Sequence, residues 1–176
     1  MNTPHFDAAM GYRGRNDGPD ILLECWHTMP EAERPDTLAY VWSLAEWPER
    51  YLGTDIWVTW FRSVGFVSEA GQPAPVEPLQ LYRGSTWGRR RGMAWTSDLD
   101  RARWFADRTT RFGLLGHGGT GHVFGAVVSP AGVLAYIDRA DGRGEGEIIV
   151  DPAYLPPIRR SSIIPVSYTH LRAHET

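Results

Sequence analysis

The chain has 176 residues, of which 42% are hydrophobic and 22% are charged, as in an ordinary globular protein with one core. A formal net charge of −3 with no basic tract argues against a nucleic-acid-binding surface, and a single cysteine excludes an internal disulfide framework. No stretch reads as a signal peptide or a membrane span, so we expect a cytoplasmic protein, of its own or of a host or target cell, with no membrane partner.

The first part of the chain predicts a flexible arm followed by a helical segment. Residues 1–19 are rich in glycine, asparagine and aspartate, which is typical of an arm. Asp20 then predicts the N-cap of the first helix, and apolar residues at helical spacing predict helices over residues 21–29, 35–47 and 54–64. Their aromatic stripes favour packing in a core over a cofactor site. Residues 20–67 are therefore predicted to form a helical N-terminal segment.

After a proline-rich linker at residues 68–78, the pattern changes to short strands. Alternating or continuous apolar residues predict strands within residues 79–85, 92–97, 122–129, 132–138 and 147–150, with a truncated closing strand within 158–164.

Two connections between these strands carry further predictions. Ser97, with Asp100 three residues later, predicts the start of one helix, and residues 111–121 predict a glycine-rich loop. Pro130 with Gly132 predicts a hairpin-like connection between two strands. The fold class is α+β, with a helical N-terminal segment followed by a mostly antiparallel sheet in residues 79–165.

The last eleven residues, VSYTHLRAHET at positions 166–176, resemble one reading frame of a sequencing-library adapter. We therefore exclude them from interpretation, including the pair His170 and His174 that would suggest a metal site. On this interpretation, the natural sequence beyond Pro165 is missing.

Two carboxylates, Glu145 and Glu147, open the strand in the stretch RGEGEIIVDP. Side chains two residues apart in an extended chain leave on the same face, so both acids would point the same way. Earlier in the chain, Arg83 ends one predicted strand and Thr96 with Ser97 ends another. Along the chain, an arginine and then a hydroxyl thus end predicted strands, and the two glutamates open a third.

This order resembles the Arg-Ser-Glu class of ADP-ribosyltransferases. Members carry an aromatic-Arg-Gly strand, a Ser-Thr-Ser element, and Glu-x-Glu running into an apolar strand. The matching stretches here are YRG at 82–84, WTSD at 95–98 and EGEIIV at 145–150. The block WTSDLDRARWFA is similar to diverged phage and bacterial members, some of them toxin-like. The resemblance covers about half of the chain, and it implies a split β-sheet core that binds NAD as a substrate.

By this resemblance, Glu147 is the catalytic acid and Glu145 orients an arginine acceptor. Chemistry supports the role of Glu147, because cleavage of the nicotinamide–ribose bond passes through an oxocarbenium-like cation that a fixed carboxylate stabilises. Arg83 would bind the phosphates of NAD with its planar fork of donors. Gly84 would let the backbone approach the ligand closely.

The middle motif departs from the family at its first position, where Trp95 replaces the serine that supports the catalytic glutamate. Thr96 is the surviving candidate for that support, because Ser97 is expected to cap the next helix. For stacking on nicotinamide we consider the rings of Trp87, Trp95 and Phe105. The residues implied in NAD binding are Arg83, Gly84, Thr96, Ser97, Trp95 and Phe105.

The sequence therefore predicts a mono-ADP-ribosyltransferase that transfers ADP-ribose from NAD to a protein, through an arginine side chain. Three alternatives stay open: an NAD glycohydrolase, a catalytically degenerate module that binds NAD or a protein, and an ordinary scaffold with an Arg–Glu ion pair. Two other motifs are set aside. His117 and His122 lack further ligands at metal spacing, so we expect no metal, and a second YRG at 12–14 lies in the polar arm.

Overall fold

The computed structural model describes residues 13–114, 119–138 and 146–165. Within these ranges the helices are α1 (Gly18–Cys25), α2 (Arg34–Leu44), α3 (Pro48–Leu52), α4 (Thr54–Val64) and α5 (Leu99–Leu114). The strands are β1 (Val67–Ser68), β2 (Leu79–Thr86), β3 (Ala94–Trp95), β4 (Gly121–Val128), β5 (Val133–Ile137), β6 (Glu147–Val150) and β7 (Ile163–Ile164). The chain is α+β, and none of the described helices is long and apolar enough to cross a bilayer.

The strands form two sheets. One has the order β1-β5-β6-β3 and the other has the order β2-β4-β7. Neighbouring strands run antiparallel, except that β1 is parallel to β5. A backbone bridge between Tyr82 and Thr96 links the two sheets, with N–H···O distances of 2.7 and 2.9 Å. The sheets therefore meet where β2 passes the end of β3.

Apolar side chains fix the order of the layers as helices, first sheet, second sheet and α5. The N-terminal helices pack on the first sheet through a set of buried residues that includes Trp26, Leu38, Trp42, Trp57, Phe61, Leu134 and Ile149. Between the sheets lie Leu81, Trp95, Phe124, Val133, Ile148 and Leu155. Helix α5 covers the second sheet with Ala102 and Ala106 against Val123. The predicted core role of the aromatic stripes is confirmed, since Trp42, Trp57 and Phe61 are fully buried.

The predicted helices differ from the observed ones at both ends, since the helix predicted over residues 21–29 is α1 (Gly18–Cys25) and the helix predicted over residues 35–47 is α2 (Arg34–Leu44). Helix α4 has the predicted bounds and ends at Gly65, whose φ of +80° suits glycine. Helix α1 has Asp17, not Asp20, at its N-cap, because Pro19 fits the first turn of a helix. Helix α3 was not predicted, since Pro48 was interpreted as a stop when it begins a helix.

Both ends of the predicted helical segment are shifted in the structure. At its start, the last residues of the predicted arm form a 3-10 turn, Arg15–Asp17, and the beginning of α1; the arm before residue 13 lies outside the described residues. At its end, Ser68 of the predicted linker belongs to β1, which pairs with β5. The helical segment thus contributes a strand to the first sheet.

The predicted hairpin at Pro130 is wrong, because β4 and β5 belong to different sheets. The 3-10 turn Pro130–Gly132 carries the chain from one sheet to the other. Val128 before the turn and Val133 after it are both buried between the sheets. A short connection between two apolar strands can therefore join strands of two packed sheets as well as neighbouring strands of one sheet.

Helix α5 is capped by Asp98, and the prediction that Ser97 caps it is wrong. The Asp98 Oδ1 atom accepts hydrogen bonds from the N–H groups of Asp100, at 2.8 Å, and Arg101, at 3.2 Å. Ser97 is exposed. The helix continues to Leu114, so its last turn occupies the first residues of the predicted glycine-rich loop.

Helix α5 approaches the second sheet so closely that we expect Gly84→Ala to destabilise the protein. A Cβ atom at this position would lie 2.0 Å from the Ala102 carbonyl oxygen and 2.6 Å from the Ala106 nitrogen. Overpacking of this kind costs about 1–3 kcal/mol or more of unfolding free energy, measurable by urea denaturation. Gly88→Ala is the matched control, since its Cβ would meet no atom within 4 Å. Equal stability of the two variants would contradict the close approach.

Candidate functional site

Three polar residues on distant strands come together where the two sheets meet. In the antiparallel pair of β3 and β6, Ala94 lies opposite Ile149 and Trp95 lies opposite Ile148. Thr96 follows Trp95 and Glu147 precedes Ile148, so the two residues lie at the same end of this antiparallel pair. The bridge from Thr96 to Tyr82 then brings the neighbouring Arg83 to the same corner. Pairing of the strands thus assembles the predicted Arg83, Thr96 and Glu147.

The carboxylate of Glu147 is buried and is held by a residue from the helical layer. Glu147 is 9% exposed, and the Trp42 indole N–H donates to its Oε2 at 2.8 Å. Trp42 lies on α2 and packs edge-on against Trp57 and Phe61, with ring centroids 5.0 and 5.8 Å away. Sequence reasoning assigned Trp42 to the core alone. The missed signal was chemical, because a buried indole N–H needs an acceptor.

Arg83 is half-buried and donates to the backbone around it. Its Nε donates to the Arg89 carbonyl at 3.0 Å, and its Nη1 donates to the Ala94 carbonyl. Desolvation lowers the pKa of Arg83, whereas the charges of Glu49 and Glu147 act to raise it and that of Arg89 lowers it. The guanidinium therefore belongs to a cluster with two carboxylates, and its Nε and Nη1 are used to hold the chain that follows β2.

Glu49 is the second site residue that sequence reasoning missed. It lies on α3, where its Oε2 accepts from the Met93 N–H at 3.1 Å and its Oε1 accepts from the Thr54 hydroxyl at 3.2 Å. Gly92 makes room for the cluster. A Cβ there would lie 2.3 Å from Arg83 Nη2 and 2.9 Å from Glu49 Oε2. Nothing in the local sequence around Glu49 indicates this partnership, which depends on how α3 packs.

The hydroxyl residues of the middle motif divide between the site and the surface. Thr96 is 7% exposed, and its Oγ1 accepts a hydrogen bond from the Asp98 N–H at 3.1 Å. This bond directs the chain from β3 into α5. Ser97 is exposed, so the structure retains Thr96 and not Ser97 in the buried corner.

The structure does not place Trp95, Phe105 or Gly84 as predicted for cofactor contacts. Trp95 is 2% exposed in the layer between the sheets, with its indole N–H donating to the Gly92 carbonyl at 2.8 Å, so its ring has no open face for stacking. Because side chains alternate along β2, Gly84 faces α5 while Arg83 faces the first sheet. Phe105 on α5 therefore lies across the second sheet from Arg83, and the close approach at Gly84 is to a helix.

Of the rings considered for stacking, Trp87 is half-buried, and its ring centroid lies 6.0 Å from that of Phe124. The guanidinium carbons of Arg90 and Arg160 lie 4.2 and 5.5 Å from its ring centroid. Two surface grooves, beside Trp60 on the helical layer and beside Trp104 on α5, contain none of the three converging residues.

Two further predictions concern residues that the structure covers only in part. Glu145 and His117 lie outside the described residues, and His122 lies on β4, where its ring centroid is 6.1 Å from that of Phe124. Among residues 13–114, 119–138 and 146–165, no group of three histidine, cysteine, aspartate or glutamate side chains is placed to hold a metal ion.

Comparison of the chain with protein-family models, with curated proteins and with solved structures gives no match. Its function therefore has to be inferred from its own residues and their geometry. The residues that carry this inference are those of the corner cluster, which we define as Arg83, Thr96, Glu147, Trp42 and Glu49.

We expect Glu49→Gln to destabilise the protein, because it removes a charge that opposes the desolvation of Arg83 while keeping the size of the side chain. Loss of a partner of a partly buried charge costs about 1–3 kcal/mol of unfolding free energy, measurable by urea denaturation. Glu24→Gln is the matched control, since Glu24 is 64% exposed and pairs with the surface residue Arg13. If both variants unfold at the wild-type midpoint, Glu49 does not stabilise the half-buried guanidinium of Arg83.

Proposed function

We propose that the protein is an ADP-ribosyltransferase of the Arg-Ser-Glu class, which cleaves NAD and transfers ADP-ribose to an arginine side chain of another protein. The observation that supports this most strongly is the meeting of Arg83, Thr96 and Glu147 at the junction of two sheets. These residues come from three separated stretches of the sequence. The resemblance in sequence implies this convergence.

The chemistry of the proposed reaction requires a fixed carboxylate beside the ribose. The bond between C1′ and the nicotinamide nitrogen breaks, and nicotinamide leaves with the electron pair as a neutral molecule. The ribose carries the positive charge of an oxocarbenium-like transition state, which Glu147 stabilises while it accepts a hydrogen bond from the 2′-hydroxyl. An arginine nitrogen of the target then bonds to C1′ and loses a proton. Glu145 is assigned to orient that nitrogen by resemblance alone.

In this proposal Arg83 acts differently from the sequence prediction. Its Nε and Nη1 already donate to backbone carbonyls, so only part of the guanidinium is available for the phosphates of NAD. Its contribution is its positive charge at the corner, together with the support that it gives to the chain around Arg89 and Ala94.

A second candidate function, NAD or protein binding without turnover, is favoured by one feature of the middle motif. The position of the supporting serine is taken by Trp95, whose ring lies in the core, and the Thr96 hydroxyl accepts from the Asp98 N–H. Loss of the serine from this position is expected in a degenerate module.

We expect Glu147→Gln to lower nicotinamide release from NAD by roughly 10²–10³-fold, because the amide removes the charge that stabilises the cation. The assay uses the full chain, with Glu77→Gln, an exposed residue of the connection before β2, as the matched control. Release that rises with a cell lysate and labels a protein band supports the transferase. Nicotinamide release that is the same with and without the lysate indicates a glycohydrolase.

The absence of release from folded protein is also informative. Thermal stabilisation by NAD, about 2.7 kcal/mol at a hundred times its dissociation constant, would then indicate the degenerate binding module. If NAD is not cleaved and does not stabilise the protein, the proposal is overturned and the chain is an ordinary scaffold. Glu145→Gln separates the two active outcomes, because a transferase is expected to lose transfer while hydrolysis of NAD survives.

A further inference from the structure

Glu147 has a hydrogen-bond donor that the sequence motif does not contain. In the family that the chain resembles, a serine at the position of Trp95 supports the glutamate. Here the Trp42 indole N–H donates to Glu147 Oε2 at 2.8 Å, inside the protein. We propose that Trp42 is the positioning residue of Glu147 and does from the helical layer what that serine does elsewhere. This inference rests on the proposed function, since it assigns a role in the same site.

The surroundings of Trp42 suit a rigid support. Its side chain is fully buried on α2, and the edges of Trp57 and Phe61 restrict its ring. An indole has one N–H donor and no acceptor, whereas a serine hydroxyl can rotate and act as donor or acceptor. Trp42 can therefore only donate to Glu147. The buried indoles of Trp57 and Trp95 donate to the carbonyls of Pro48 and Gly92, which are neutral acceptors. Unlike these two, Trp42 donates to an ionisable group.

The expected effect on the reaction follows from this hydrogen bond. A donor directed at a carboxylate favours its ionised form, which is the form that the cation requires. The bond also fixes the plane of the carboxylate relative to the ribose, and a misplacement of about 1 Å at a reacting centre costs roughly 10²-fold in rate. Arg83 on β2 is a charged group whose pKa responds to Glu147, so it shares control of that ionisation with Trp42.

The decisive variant is Trp42→Phe in the full chain, which removes the N–H and keeps an aromatic ring. We expect kcat for nicotinamide release to fall by roughly 10²-fold with little change in KM, and the acid limb of the pH–rate profile to move to higher pH. Trp57→Phe is the matched control. Trp57 is also fully buried, so this variant removes a comparable aromatic volume without removing the N–H that donates to Glu147.

A second measurement does not depend on activity or on how Trp42→Phe folds. In the wild-type protein, we expect the nuclear magnetic resonance signal of the Trp42 indole N–H to shift with pH as Glu147 titrates, and to shift in Glu147→Gln. The Trp57 indole signal, whose N–H donates to a backbone carbonyl, is expected to stay in place under both changes.

The outcomes distinguish this inference from the proposed function. If Glu147→Gln abolishes release but Trp42→Phe matches Trp57→Phe in kcat and pH profile, the role of Trp42 is overturned and the transferase stands. If Glu147→Gln leaves release unchanged, the transferase itself fails and the positioning role fails with it. If the indole N–H signal of Trp42 shifts neither with pH nor in Glu147→Gln, that result alone overturns the inference.

Discussion

The backbone bridge between Tyr82 and Thr96 is the constraint on which the candidate site depends. It ties the edge of the second sheet to β3, which in turn pairs with β6 of the first sheet. A change in either register by one residue would turn a side chain to the opposite face of its strand. Arg83 and Glu147 can therefore act on each other only while this junction holds both sheets in register.

Around that junction, charges are buried with partners from other layers. Arg83 loses water on burial, and the charges of Glu49 and Glu147 offset part of that loss. Glu49 in turn accepts from the Met93 N–H, and Glu147 accepts from the Trp42 indole. The carboxylates of Glu49 and Glu147 thus each accept from an element that is distant in the sequence. The rigidity that results is what a cation-stabilising carboxylate needs.

Many of the helices and strands could be predicted from the sequence because they follow from local patterns of apolar residues. Helix α4 and strands β2, β4, β5 and β6 were found from apolar patterns in the sequence. The failures share one physical cause, which is that tertiary packing decides between locally equivalent arrangements. The turn at Pro130 crosses between sheets, and Trp95 serves the core. Phe105 and Arg83 were both predicted to bind NAD, and the alternation of β2 places them on opposite faces of the second sheet.

The positions of Trp42 and Glu49 in the chain have a consequence for how such a protein can evolve. Both residues precede the proline-rich connection before β2, whereas the groups that they contact, Glu147 and Met93, follow it. The connection therefore does not mark a boundary at which gene fragments could be exchanged freely. A recombinant that paired these strands with foreign helices would inherit Glu147 without the indole that holds it. The two halves are expected to descend together, as one heritable unit.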